Sequence, residues 1–440
     1  GQTGGKPGSD IDAPLAWNLT TGSADVIIAV VDSGVDYTHP DLEANIWTNT
    51  DEIAGNRIDD DGNGYVDDTR GWDFYNNDNN PLDDNGHGTH CAGTIGAVGD
   101  NGIGVVGVMW NVQIMPLKFL NRKGSGYTDD AVSAILYANS MGAHVISNSW
   151  GGGGYSKSLK AAIDESDAVV VCAAGNSGVN TDGTPHYPSS YDSEQIIAVA
   201  ATDDEDYLAS FSNYGITSVD VAAPGVNILS TYPSKSYAWM SGTSMATPHV
   251  AGLAGAMKAR YPEMSNLEIK DRIMATVDRD SALAAKIASG GRINAYQALL
   301  SSPSIDPPTA SFTVDATSGV APLTVLFTDT SGGTAPFSYA WDFDSNGAVD
   351  STLQKPSYVY DTARTYTVTL TVTNDGGSDE VVMTDYITVT ATPVSPVAAF
   401  TADVTSGTAP LTVLFTDHST GAPTGWAWDF DNDGTVDSDQ

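Results

Sequence analysis

The chain has 440 residues, 41% of them hydrophobic, which is enough to bury the cores of two or three domains. Its formal charge is −37, and both parts share it, about −21 over residues 1–305 and about −16 over 306–440. Such an excess of carboxylates disfavours nucleic acid, whose phosphates need Lys and Arg, and no run approaches the ~18 apolar residues of a membrane span.

Residues 1–25 read as loop and a short helix around Ile11–Trp17. Val26–Val31 is a β-branched run and predicts a buried strand that ends in Asp32-Ser33-Gly34. Residues 49–86 are rich in Asp, Asn and Gly and predict an insertion over the surface. The pattern then gives helix 87–97, strand 112–119, helix 128–141, strand 144–149, helix 157–166, and strands 168–174 and 196–201. Helix 244–260 follows, and a capping box, Ser265 with Glu268, opens another. Strands alternating with helices imply an α/β fold, a mostly parallel sheet with helices on both faces. Cys91 and Cys172 sit in apolar stretches and read as free buried thiols.

Residues 301–308 form a Pro-rich linker after a first domain of 1–300. Beyond it Thr, Val, Tyr and Phe alternate in short runs between Gly, Asn and Asp turns, the pattern of an all-β sandwich. SGVAPLTVLFTDT at 318–330 recurs as SGTAPLTVLFTDH at 406–418, and WDFD at 341–344 recurs at 428–431. The first copy covers 309–391. The second, 397–440, lacks a counterpart of 353–390, so it should expose its inner face.

Three Gly-rich corners carry reactive side chains. Ser244 stands at a helix start, in GTSMATPHV at 242–250. A hydroxyl there lies beside unpaired backbone N–H groups, which suits a nucleophile, although Ser is also an ordinary N-cap. Asp32 ends a strand, and His87 opens the small-residue helix within NGHGTH at 85–90. These are the parts of a Ser-His-Asp triad in the order Asp, His, Ser. HGTH lacks the Glu of a helical zinc motif, and Ala246 rules out a GxSxG elbow.

DSG at 32–34, HGTH at 87–90, AAGNSG at 173–178 and GTSMATPHVAG at 242–252 resemble the motifs of subtilisin-like serine proteases, the subtilases. The WDF cores make the β repeats similar to the immunoglobulin-like PKD family. The resemblance implies a secreted serine endopeptidase that works through an acyl-enzyme and folds with the help of a propeptide. Gly1–Gly5 show no charged-then-apolar leader, so signal and propeptide are expected to have been removed. Ser244 would be the nucleophile, His87 the base and later the acid, and Asp32 the group that orients it. The family match places Asn176 in the oxyanion hole with the Ser244 N–H, where an ordinary turn Asn is the alternative. His90 and His249 are given structural roles. Gly124, Ser125 and Gly126 on one side, and Ser149, Trp150 and Gly151 on the other, would hold an extended peptide between them as added strands. Ala173, Ala174 and Gly175, with glycines at 151–154, leave room for a large apolar side chain before the cut.

Calcium is the expected cofactor. Asp59, Asp61 and Asn63 alternate ahead of Gly64, Tyr65, Asp67 and Asp68, as in a loop that wraps Ca²⁺, although no Glu stands where an EF-hand has its twelfth ligand. A solvated acidic loop is the alternative. The resemblance implies a second site that joins Gln2 to Asp41 and a loop near Asp100 and Asn101, with Asp10 and Asp12 beside a neighbouring one. In the β repeats Asp342, Asp344, Asn346 and Asp350 match Asp429, Asp431, Asp433 and Asp437 in spacing, as calcium loops or as plain turn acids. The modules read as binders of insoluble protein or as spacers. Trp341 and Trp428 look like core residues, with Trp426 the better exposed candidate. A different class, an adhesin with an inactive protease fold, is disfavoured by intact Asp32, His87, Asn176 and Ser244.

Overall fold

The β-branched run before Asp32 is buried from both sides, as its lack of polar alternation requires. In a computed structural model that describes residues 5–300, 306–335, 337–374 and 376–440, it is the inner part of a strand that begins earlier than expected, β1 (Gly22–Asp32). Gln2 lies outside the described residues. The further strands of this part are β2 (Trp72–Asp73), β3 (Asn111–Lys118), β4 (Val145–Asn148), β5 (Val169–Ala173), β6 (Ile196–Thr202), β7 (Val221–Pro224), β8 (Ile228–Tyr232), β9 (Ser236–Met240), β10 (Asp278–Arg279) and β11 (Gly291–Arg292). Nine of them form one sheet in the order β10-β11-β7-β6-β5-β4-β1-β3-β2. Every neighbouring pair is parallel except β10 with β11. β8 and β9 make a separate antiparallel hairpin.

The helices are α1 (Ala13–Ala16), α2 (His87–Gly96), α3 (Thr128–Ser140), α4 (Lys157–Asp164), α5 (Thr243–Arg260), α6 (Asn266–Ala275) and α7 (Ala295–Leu300). The capping box read at Ser265 is formed. Along β1, Ile28 and Val30 face one core with α2, α5 and α6, while Ala29 and Val31 face the other with α3 and α4. That is the period-two alternation of a strand covered on both faces. The chain runs from β1 toward β2 and β3 on one side, and from β4 toward β5 on the other. β1 and β4 are neighbours, so a crevice opens at their carboxyl ends.

The polar insertion is less superficial than its composition suggests. Tyr65 packs edge-on against Trp72, Phe74 and Tyr137, and Glu52, Asp67, Asp68, Asp73 and Asp83 are buried. Backbone N–H groups and amides meet these carboxylates, and buried charge is tolerated on that condition.

The chain divides into two compact units, Gly1–Pro303 and Ser304–Gln440. In the second, β12 (Phe312–Val314), β14 (Leu323–Asp329) and β16 (Ser357–Tyr360) form one sheet. β13 (Ser318–Val320), β18 (Gly377–Thr390), β17 (Thr365–Asn374) and β15 (Ser338–Asp342) form another. Phe312 and Phe327 from one sheet meet fully buried Trp341, Val368 and Leu370 from the other in a single core. In the second repeat β19 (Phe400–Ala402) pairs with β20 (Phe415–Asp417). Phe400, Phe415, Trp428 and Phe430 repeat the aromatic cluster of the first module, but Phe400 is 59% exposed where Phe312 is 4%.

Candidate active site

Asp32 closes β1 with a fully buried carboxylate at the crevice. Its Oδ1 accepts the Ser33 N–H at 2.7 Å and lies 2.8 Å from His87 Nδ1, with Oδ2 at 3.0 Å. A carboxylate at Nδ1 holds the proton there and leaves the Nε2 lone pair for the cleft. The approach of α2 to β1 needs glycine at 88, because a Cβ there would overlap the Gly34 carbonyl.

A second buried carboxylate, Asp83, fixes the start of α2. It accepts five hydrogen bonds, from Ser33 Oγ (2.9 Å), from the N–H groups of Asn85, Gly86 and Thr89 (2.9 Å each), and from Thr89 Oγ1 (2.6 Å). The sequence reading passed over it, although an acid just before a helix start is a capping signal. Burial alone would lower the pKa of His87. The charge of Asp32, its hydrogen bond and the charge of Asp83 outweigh that, and the pKa stands above 6.5. His90 behaves in the opposite sense. Burial lowers its pKa, and its Nε2 lies 3.0 and 3.1 Å from the Ile228 and Ala238 carbonyls of the hairpin.

Ser244 lies in the first turn of α5, after Gly242 in extended conformation. Its Oγ donates to the Ser149 carbonyl at 2.8 Å, and Ser149 Oγ donates to the Ser244 carbonyl at 3.0 Å. Pro248 explains the second bond. Within a helix the residue four positions on would supply an N–H to the Ser244 carbonyl, and proline has none. The Ser149 hydroxyl and the Cys91 thiol, at 3.4 Å, take its place. Burial raises the Cys91 pKa well above the usual thiol range, so this group stays protonated and can donate. To pass its proton to an imidazole, the Ser244 hydroxyl must give up its hydrogen bond to the Ser149 carbonyl.

Asn176 follows β5. Its Oδ1 accepts the Thr243 N–H at 2.8 Å and Thr243 Oγ1 at 3.0 Å, so the amide is fixed with Nδ2 as its remaining donor. A Cβ placed on Gly242 would come 3.5 Å from Asn176 Nδ2 and 3.7 Å from the Ser244 nitrogen. The Asn176 amide and the Ser244 N–H therefore lie on the same side of this glycine.

His87, Ser244 and Asn176 line one cleft of about 380 Å³ together with Gly124, Ser149, Trp150, Gly151, Ala173 and Gly175. Ser125 and Gly126 continue the exposed segment after Gly124. Ala174 does not line the cleft but packs with Ala200, Val219 and Leu283, because neighbours along an extended chain face opposite ways. The cleft also holds His186, which the sequence reading did not single out.

Away from the cleft, carboxylate oxygens of Glu52, Asp61 and Asp68 lie within 4.8 Å of one another. Asn63 Nδ2 bonds Asp61 and Asp68, and Tyr137 donates to Asp68 at 2.5 Å. Among the described residues no Lys or Arg pairs with any of the three acids. Three converging carboxylates without a cationic partner fit a divalent cation such as Ca²⁺. Glu52 was not foreseen, since it precedes the Asp59 motif and joins it only through the loop's fold. Asp59 caps the N–H groups of Gly62, Asn63 and Gly64, Asp67 holds those of Asn56 and Arg57, and the Tyr65 ring packs inward.

Asp41 is fully buried and accepts from Asn101 Nδ2 (2.6 Å), Val105 N (2.9 Å) and Tyr237 OH (3.1 Å), while Asp100 sits exposed at the turn. Asp10 accepts the Asp12 N–H, and Asp12 accepts from Asn294. In the β modules Asp342, Asp344 and Asp350 converge, as do Asp429, Asp431 and Asp437. Asn346 and Asp433 contribute backbone N–H groups to the first two acids of each set. Asp344 also has Arg364 at 3.7 Å.

A cleft that brings together an Asp–His pair and a serine at a helix start can in principle carry out acyl transfer, and the parallel sheet that carries it is of the kind found in α/β serine peptidases. Residues 23–301 match the subtilase family and 305–389 match the PKD domain, and the chain belongs to the subtilase family. A thermophilic serine proteinase of Bacillus sp. (strain AK1) is 43% identical over 287 residues, which cover 64% of this chain and 64% of that protein. Thermitase of Thermoactinomyces vulgaris is 43% identical over 292 residues, 66% of this chain and 93% of thermitase. Subtilisin Savinase of Lederbergia lenta is 37% identical over 293 residues, 66% and 96% of the two chains. The chain thus spans less than two thirds of the first relative's length and nearly all of the other two.

Proposed function

We propose that this protein is a secreted, calcium-stabilised serine endopeptidase. The carrying observation is the Asp32–His87 pair opening into the cleft that also holds Ser244 and Asn176. His87 Nε2 takes the Ser244 proton as Oγ adds to the substrate carbonyl. Asn176 Nδ2 and the Ser244 N–H receive the oxyanion. The imidazolium then gives its proton to the leaving amine, and water resolves the acyl-enzyme through the same groups. An extended substrate pairs its main chain with the segments at Gly124–Gly126 and Ser149–Gly151, and a large apolar side chain before the cut enters beside Ala173.

Glu52, Asp61, Asp68 and Asn63 are the residues best suited to hold calcium, and Asp41 with Asn101 supports a second position. Calcium bound there supplies positive charge that offsets the clustered carboxylates and so favours the folded state. In the first β module Asp344 has a cationic partner in Arg364, and in the second Asp429, Asp431 and Asp437 are exposed, which favours plain turn acids there, and Trp341 is core. The modules then serve as spacers or as binders of insoluble protein, and pull-down on such protein of the full chain against one ending at residue 304 distinguishes the two. The test of the main reading is labelling by a fluorophosphonate. It should modify Ser244 and abolish cleavage of a denatured protein, and an unlabelled Ser244 would refute the reading.

A further inference from the structure

The cleft contains a second imidazole that the triad does not use. His186 shares the lining with Ser244 and Asn176. Its main chain is fixed by Ser190 Oγ, which accepts the His186 N–H at 3.0 Å, and by Ser189 Oγ, which donates to its carbonyl at 2.8 Å. Two glycines make room for the ring. A Cβ on Gly151 would overlap it, and one on Gly175 would come within 2.9 Å of Nε2. Gly151 follows β4 and Gly175 follows β5, so the ring closes the space between the two segments that flank the nucleophile.

The hydroxyl proton of Ser189 is committed to the His186 carbonyl. The 3.4 Å contact between Ser189 Oγ and Nδ1 is therefore a donation from Nδ1 to oxygen. That leaves Nε2 as the free edge of the ring, a lone pair when neutral and an N–H when charged. The groups around the ring are uncharged: Ser189, Ser190, the two glycines, and Asn213, whose Nδ2 is bonded to the Ala174 carbonyl. Of the other titratable groups of its segment, Tyr187 and Tyr191 pack on each other at 4.6 Å, and the carboxylates Asp182, Asp192 and Glu194 lie outside the cleft lining, along a separate pocket. His87 is the other titratable group of the cleft. Burial with no carboxylate in opposition keeps the His186 pKa below 6.5, the reverse of His87.

We propose that His186 makes this cleft select the substrate side chain before the cut by protonation: neutral side chains while the imidazole is neutral, and carboxylate side chains once Nε2 carries a proton. The inference rests on the peptidase reading. A glutamate placed against Nε2 favours the imidazolium, so the bound substrate itself draws the proton on.

The test uses two peptides identical except for Glu or Gln before the cut, with a Phe peptide as control, assayed as kcat/KM from pH 5.5 to 8. Protonation of His87 scales both rates equally and cancels in their ratio. The Glu/Gln ratio should rise about tenfold toward pH 5.5 in the native enzyme and stay flat in His186→Gln and His186→Ser. A flat ratio in the native enzyme, or the same slope in a variant that still cuts the Phe peptide, overturns the proposal. Failure of the native enzyme to cut any of the three overturns the peptidase reading and this one with it.

Discussion

Replacing Asp83 by Asn separates the two effects of that carboxylate. Asp83 Oδ1 accepts Ser33 Oγ, Asn85 N and Gly86 N, while Oδ2 accepts Thr89 N and Thr89 Oγ1. An amide can keep the first set through its oxygen. Its NH₂ then faces the Thr89 N–H, a buried donor against a donor, which costs about 1–3 kcal/mol. The three retained bonds also lose their charge assistance. A total of about 2–4 kcal/mol follows, which at roughly 2 °C per kcal/mol lowers the melting temperature by about 4–8 °C. The electrostatic effect has the opposite flavour. His87 must be neutral to act as base, so activity rises with pH through its pKa, which Asp32 and Asp83 together hold above 6.5. Without the Asp83 charge the cationic form loses support, and the acid limb of kcat/KM moves to lower pH. Calorimetry and a pH–rate profile on the same variant read both quantities. An acid limb that stays put, or moves upward, refutes the electrostatic reasoning even if the melting temperature falls.

Asn176→Ala removes one oxyanion donor and should lower turnover about 10²–10³-fold, a magnitude taken from the same family, with near-native stability. Normal turnover in the purified variant ends that assignment. Gly242→Ala should fold, since the extended backbone there accepts any residue, yet its methyl comes into contact distance of both Asn176 Nδ2 and the Ser244 N–H, where it would crowd an oxyanion held by them. Turnover should fall by about 10²-fold or more, with KM little changed, and an unaffected kcat refutes the placement of the oxyanion. EDTA should lower the melting temperature. With calcium at a hundredfold its Kd the loss is about 2.7 kcal/mol, and Glu52→Gln should reduce the difference between calcium and EDTA. Equal melting curves in both conditions remove calcium from Glu52, Asp61 and Asp68.

The parts of the fold that were legible in the sequence are those whose backbone needs are local. Alternating apolar strands and helices announce a parallel sheet, and Gly86 and Gly88 mark a corner that a side chain would block. The β8–β9 hairpin gave no such signal. Its turn places Ser234 and Lys235 at φ of 65° and 58°, where Asn or Gly is the usual marker. Ala174 was readable but misread, because strand alternation already says that it cannot share a face with Ala173. Asp83 carried a local signal that was passed over, since it bonds the N–H groups of Asn85, Gly86 and Thr89. Glu52 and His186 gave none: Glu52 meets Asp61 and Asp68 only through the fold of its loop, and His186 reaches the cleft from a segment far along the chain.

The nucleophile's surroundings follow from one omission in the backbone. Pro248 denies the Ser244 carbonyl its helical partner, and the vacancy is filled from outside the helix by Ser149 and Cys91. The first turn of α5 is thereby tied to the end of β4 and to α2, the helix that carries His87. A regular helix would have satisfied that carbonyl internally and left its first turn free to settle by packing alone. The proline thus converts a helix terminus, which tends to fray, into a junction where three elements share hydrogen bonds. The same logic applies at Asn176, whose oxygen is spent on Thr243 so that its nitrogen is aimed, and at Asp83, whose acceptors hold the turn before His87. In each case a polar group that the backbone or a neighbouring loop must satisfy fixes, as a consequence, the orientation of a side chain that lines the cleft or of the turn that carries it.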